Sequence, residues 1–301
     1  MKICWIGLGN MGFPMAAHLH DSCYDVSGFD VSPQARVAAA DAGVPVAESA
    51  REAANGAEVL VTMLPRGEHV RAALFDSVAL AAAERDALVI DCSTIGAADA
   101  RDIGAIVAAT GRRFLDAPVS GGTSGAQNAA LTFMVGGTAA DVEAARPLFD
   151  AMGSRVFHAG EVGAGQSAKL VNNMMLAMNM QSTCEAAVLA QRLGIAPQTV
   201  IEIAAASTGD SWALRNYYPI PGAVEVAPSS REFTGGFAAT LMRKDLGLAL
   251  DAAANNGVDA AATAEVARRL DQLIADGHGA LDFSAIIRLV DADATTPQDI
   301  S

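Results

Sequence analysis

Along the first 160 residues, short and mostly apolar runs alternate with longer stretches in which apolar positions recur every three or four residues. The runs fall at residues 2–6, 25–29, 58–62, 87–91, 113–116, 131–135 and 155–158. A short apolar run reads as a strand buried on both faces, and the 3.6-residue recurrence of the alanine-rich stretches 10–21, 33–42 and 97–110 reads as amphipathic helix. This alternation predicts βαβ units and a mainly parallel sheet. The pattern changes after Gly165. Residues 166–193 form one helical stretch of 28 residues, about 42 Å at 1.5 Å per residue. Gly194 stands where a helix-ending glycine belongs. Further helices are expected at 197–206, 240–255 and 260–275, with 209–236 as an ordered loop rich in Pro, Ser, Gly and aromatics. The expected architecture is α/β: a Rossmann-type doubly wound sheet over residues 1–163, then an all-α domain over 164–290 that opens with the long helix. Residues 291–301 read as a mobile acidic tail.

Composition narrows the function classes. The chain has 301 residues, 51% of them hydrophobic and 18% charged, which excludes an intrinsically disordered protein. Its net charge of −14 lacks the basic footprint of a nucleic-acid or anionic-membrane binder, so neither partner is expected. Four scattered cysteines without a CxxC, and five scattered histidines, point to a reducing compartment and to no metal site. With no clean apolar window of about 18 residues and no targeting segment ahead of the first strand, a cytoplasmic protein is expected. Of the 20 basic residues only Lys2, Lys169 and Lys244 are lysine.

The first candidate site is Gly7-Leu8-Gly9-Asn10-Met11-Gly12, between an apolar strand and an amphipathic helix. Asp30 ends the second strand, 18 positions beyond Gly12. Glycines there permit a tight turn and close approach of backbone to a pyrophosphate at the helix N-terminus. An aspartate at the second strand end accepts from the ribose hydroxyls and repels a 2′-phosphate, so NAD is expected over NADP, with Arg36 working against that preference. Leu64 and Pro65 follow the third strand and Thr94 the fourth, where they either line the cofactor or simply end their strands. Ser120-Gly121-Gly122 offers consecutive N–H groups suited to a carboxylate, or is a plain turn. Lys169 sits near the start of the long helix with Asn173 one turn on. A desolvated lysine can act as general acid/base. A lone helical lysine is usually solvated surface, but here arginine supplies nearly all the surface cation. Lys244 shares that argument.

Together, Gly7 to Gly12 with Pro14-Met15-Ala16, residues 116–122, residues 163–173 and Lys244-Asp245 resemble the β-hydroxyacid dehydrogenases over residues 2 to about 290. The finer likeness rests on residues 211–214, 218–222, 235–237 and 241–249; Arg243 stands where relatives often have a smaller polar residue. The resemblance implies a Rossmann domain, a helical domain and an active site between them. It implies Lys169 as the catalytic residue and Ser120, Gly121, Gly122 and Asn173 as substrate contacts. Lys244 would reach substrate or cofactor. The implied reaction is NAD-dependent oxidation of 3-hydroxyisobutyrate to methylmalonate semialdehyde, a step of valine breakdown. Trp212, in a loop with exposed-type neighbours, either walls the substrate methyl group or is a core residue. Alternatives are reduction of tartronate semialdehyde or another small β-hydroxyacid, and an inactive NAD-binding module. A sugar-phosphate substrate would need basic residues and a longer helical part. A homodimer or homotetramer is expected from the apolar long helix with its methionines at 174–180.

Overall fold

The computed structural model describes residues 1–294, and the chain divides into two compact units, Met1–Lys169 and a second from Leu170 onward. The first unit is built on a sheet whose strands are β1 (Lys2–Ile6), β2 (Asp25–Phe29), β3 (Val59–Thr62), β4 (Leu88–Asp91), β5 (Arg113–Asp116), β6 (Val119–Ser120), β7 (Leu131–Gly136) and β8 (Gly153–Gly160). Five of them run parallel in the order β2-β1-β3-β4-β5. The sheet is mainly parallel, as expected. Beyond these five strands, β7 runs antiparallel to β5 and β6, while β8 pairs parallel with β7.

The apolar runs form strands because both faces of the sheet are covered. Ile3 and Trp5 of β1 pack in one core with Val59, Val61, Leu88 and Ile90. Cys4 and Ile6 pack in the core on the other face with Leu60 and Val89. Alternate side chains of one strand thus enter two different cores, which requires apolar residues at every position. The chain leaves β1 for β2 on one side and places β3 on the other. That reversal between β1 and β3 is a switch point, where open α/β sheets hold ligands at the carboxyl ends of their strands.

The long helix spans Ala164–Arg192. Its end is built as expected: Gly194 has φ +75°, and the N–H of Ile195 donates to Ala190 O at 2.9 Å, the bond that closes a glycine-terminated helix. Ala177, Met180, Cys184 and Ala187, spaced three and four apart, enter the core of the second unit with Met242, Leu246, Leu270 and Phe283. The helices Pro197–Ala205, Ala239–Asn255 and Ala261–Leu273 follow the expected pattern. The segment read as a loop at 209–236 instead carries a short helix, Trp212–Asn216, and a 3-10 turn, Pro228–Arg231. Ser211 starts the former by accepting the N–H of Leu214, an N-cap inside a stretch too short for periodicity to reveal. Of the expected mobile tail, residues 295–301 lie outside the described residues. Its start is packed: Arg192 pairs with Asp291, and Ala294 is buried.

Candidate active site

The three fingerprint glycines meet three different demands. Gly7 turns the chain at φ +105°, and a Cβ there would lie 2.2 Å from Met63 O, against the end of β3. A Cβ on Gly12 would lie 1.9 Å from Gly7 O, so the first helix, Gly12–Asp21, packs on the turn only without a side chain. A Cβ on Gly9 would meet nothing within 4 Å. The packing of the unit explains Gly7 and Gly12. Gly9 is open, with room for a group to approach its backbone.

Asp30 braces this loop. Its Oδ2 accepts the N–H of Leu8 at 2.7 Å and its Oδ1 that of Ser32 at 2.8 Å. Each carboxylate oxygen has a second lone pair, so the same group can still accept from ribose hydroxyls. Arg36 donates to Asp30 O at 2.7 Å, and its guanidinium lies over the Phe29 ring, 5.6 Å from the centroid. Asn10 is exposed and Met11 half-buried.

The loops after β3 and β4 are tied together. The N–H of Leu64 donates to Ser93 Oγ at 2.8 Å. Thr62 Oγ1 donates to Asp91 Oδ1 at 2.8 Å, and the N–H of Ser93 donates to the same oxygen at 3.1 Å. Asp91 is fully buried, and burial pushes its carboxyl up to about 6 despite these bonds, with Asp116 on the neighbouring strand adding repulsion. Pro65 is exposed and Thr94 half-buried, each just past its strand end.

Asp116 ends β5 and receives the start of the long helix. Its Oδ1 accepts the N–H of Gly163 at 2.7 Å and its Oδ2 the N–H of Gln166 at 2.8 Å. These are the unpaired donors of a helix N-terminus, met by a carboxylate from a distant strand. Burial raises the Asp116 carboxyl above the usual range, and those backbone bonds pull it back. The contact is close because Gly165 lacks a side chain: a Cβ there would lie 2.4 Å from Met134 O. Gln166 is wholly buried, and Lys169, one turn further, is only 8% exposed. The surface-lysine reading is thereby excluded. Ser120 ends β6, and Gly121 and Gly122, at φ +136° and +62°, turn the chain into the short helix Gly122–Gln127.

In the second unit, Asp245 gathers two of the expected residues. Asn173 Nδ2 donates to its Oδ2 at 2.6 Å, and Lys244 Nζ lies 3.1 Å from its Oδ1. Asn173 and Asp245 are buried. Trp212 is 51% exposed and packs on Tyr217 with ring centroids 4.7 Å apart. The sequence reading missed Asp116, Gln166 and Asp245 as working parts. Each lies inside a motif it had marked, but the partners Gly163 and Gln166 of Asp116 and Asn173 of Asp245 are 47 or more residues away.

These residues fit a dinucleotide: an open glycine at a strand-to-helix turn, an aspartate at the next strand end, and the switch point beside both. Residues 2–160 match the model of the NAD binding domain of 6-phosphogluconate dehydrogenase. Residues 163–290 match that of the NAD-binding domain of NADP-dependent 3-hydroxyisobutyrate dehydrogenase. A 3-hydroxyisobutyrate dehydrogenase of Pseudomonas aeruginosa is 44% identical, covering 95% of this chain and 97% of its own. An NAD-dependent L-serine dehydrogenase of the same organism is also 44% identical, covering 96% and 98%. The solved structure of a Mycobacterium tuberculosis 3-hydroxyisobutyrate dehydrogenase with L-serine superposes with a TM-score of 0.90 at 45% identity, covering 96% and 98%. The cofactor is a nicotinamide dinucleotide, and the chain belongs to the β-hydroxyacid dehydrogenase family, where it is most like the 3-hydroxyisobutyrate dehydrogenases.

Proposed function

We propose that this hydroxyacid dehydrogenase oxidises 3-hydroxyisobutyrate to methylmalonate semialdehyde, as in valine breakdown, with NAD as the acceptor and Lys169 as general acid/base. Residues 1–163 would hold the cofactor, and residues 164–290 would add substrate contacts and the surface of a homo-oligomer. The carrying observation is the burial of Lys169 on a helix start clamped by Asp116, in a chain whose surface cations are nearly all arginines. When bound, the nicotinamide takes the carbinol hydride. Gly7 to Gly12 hold the pyrophosphate against the first helix, and Asp30 accepts from the ribose, which favours NAD. The N–H groups at Ser120, Gly121 and Gly122 hold the substrate carboxylate. Lys169 enters the oxidation neutral and takes the hydroxyl proton at Nζ as the carbonyl forms. Asn173, held by Asp245, binds the substrate, and Lys244 adds a cation to a site that must take anions into an acidic protein.

Oxidation of L-serine is the second reading, carried by the equally similar relative of that name. The two substrates differ at C2, methyl against ammonium. One initial-rate panel tests both readings: wild type and Lys169→Ala on 3-hydroxyisobutyrate, L-serine and glycerate, each with NAD and NADP. The expected result is highest kcat/KM on 3-hydroxyisobutyrate with NAD and a loss of at least 100-fold in Lys169→Ala, the upper range of one acid/base group being about 10,000-fold. Unchanged turnover in Lys169→Ala would refute the lysine, and a preference for L-serine the substrate.

A further inference from the structure

Gln166 makes a pair of contacts that packing alone does not require. Its side chain is completely buried. Oε1 accepts the N–H of Ile95 at 3.1 Å, and Nε2 donates to Ser93 O at 2.7 Å. The carboxamide thus takes both main-chain groups that flank Thr94, as a neighbouring strand would. Its own N–H is bound by Asp116, so Gln166 is fastened to β5 through the main chain and to the loop after β4 through the side chain. That loop is joined in turn to Leu64 by Ser93 Oγ. A buried amide is tolerated only with donor and acceptor both paired, and this geometry pairs both with one segment. Lys169 follows three residues later on the same helix. Residues three apart share a face, so fixing the rotation of Gln166 about the helix axis fixes the direction in which Lys169 leaves it.

We propose that Gln166 is a positioning residue for the reaction. It locks the helical turn bearing Lys169 to the loops that carry Leu64 and Thr94, and so sets the lysine against the bound dinucleotide. The inference rests on the Lys169 reading above. Gln166→Met keeps the length and apolar volume but removes both bonds. Gln166→Glu keeps the acceptor, and when protonated also the donor, so it restores the pairing at low pH.

The test measures NADH affinity by fluorescence titration, kcat and its pH profile in both directions, and thermal stability, for wild type, both variants and Lys169→Ala. In Gln166→Met, NADH affinity should stay within about twofold, while kcat per NADH-binding molecule falls 10- to 100-fold, the scale of an ångström-sized misplacement. The apparent pKa of its kcat profile should also move. Gln166→Glu should recover kcat in the reductive direction as pH is lowered. A merely structural role is shown by either of two results, and each overturns the proposal: a lowered melting temperature with unchanged kcat and pH profile, or loss of NADH binding in both variants. Full activity of Lys169→Ala would sink the underlying reading, whereas an inactive Lys169→Ala beside a normal Gln166→Met would sink this proposal alone.

Discussion

Replacing Asp91 by asparagine should flatten the pH dependence of stability of the first unit. Asp91 is fully buried and its carboxyl is raised from an ordinary 3.8 to about 6, chiefly by desolvation. The folded state therefore holds this proton more tightly than the unfolded state. Its contribution to stability is full below pH 3.8 and is lost as pH rises through about 6. A shift of about two units makes ionised Asp91 unfavourable by about 3 kcal/mol at pH 7, of which about 1 kcal/mol is lost between pH 5 and pH 7. In Asp91→Asn, Thr62 and Ser93 can still donate to the remaining carbonyl oxygen, but the amide nitrogen takes the place of Oδ2, which has no hydrogen-bond partner. Absolute stability thus changes for two opposing reasons, and the informative quantity is the difference between the two pH values. Trp5 is buried in the first unit and Trp212 is exposed in the second. Urea unfolding followed by Trp5 fluorescence, with Trp212→Phe in both proteins, reports the unit that holds Asp91. Wild type should lose about 1 kcal/mol more than Asp91→Asn between pH 5 and pH 7. Equal losses in the two proteins would refute the assignment of that titration to Asp91.

The glycine loop makes a paired prediction. Gly9→Ala should fold with wild-type stability but lose about tenfold or more in NADH affinity by titration, whereas Gly12→Ala should lose about 3 kcal/mol in urea unfolding because its methyl meets a carbonyl. Asp30→Ala should lower kcat/KM with NAD more than with NADP, raising the NADP/NAD ratio measured in initial rates. Asp245→Ala removes the acceptor of Asn173, a charge-assisted bond of about 1.5–3 kcal/mol, and should raise KM for the hydroxyacid about tenfold or more with little change in NADH affinity. The oxidative rate of wild type should climb from about pH 7 towards pH 10, the range over which lysines give up their proton; a flat profile would remove Lys169 from the proton path.

The dinucleotide loop was legible because its signal is local: strand, glycines, helix and acidic strand end follow within 30 residues. The central strands β1, β3 and β4 were legible for a similar reason, since burial on both faces writes itself as an apolar run. β6 was not, because two residues, Val119–Ser120, are too few to show a period. The long helix was placed within two residues at its start, yet what starts it was invisible. Asp116 reads in sequence as the polar end of a strand, and only the folded chain brings Gly163 and Gln166 to it. Gln166 likewise looks like any polar residue on a helix until Ser93 and Ile95 enclose it. The scarcity of lysine weakened the reading of Lys169 as solvated surface, and its burial agrees with that indirect sign.

The division of the chain after Lys169 bears on how such proteins diversify. The lysine and its clamp, Asp116 and Gln166, all belong to the same compact unit as the glycine loop. A recombination event joining a foreign helical segment at position 170 would carry Lys169, the proposed acid/base, along with the glycine loop, leaving the proposed substrate contacts Asn173, Trp212 and Lys244 to be exchanged as a set. Chimaeras crossed over at that position are the natural library for altering which hydroxyacid is accepted while the redox half stays intact.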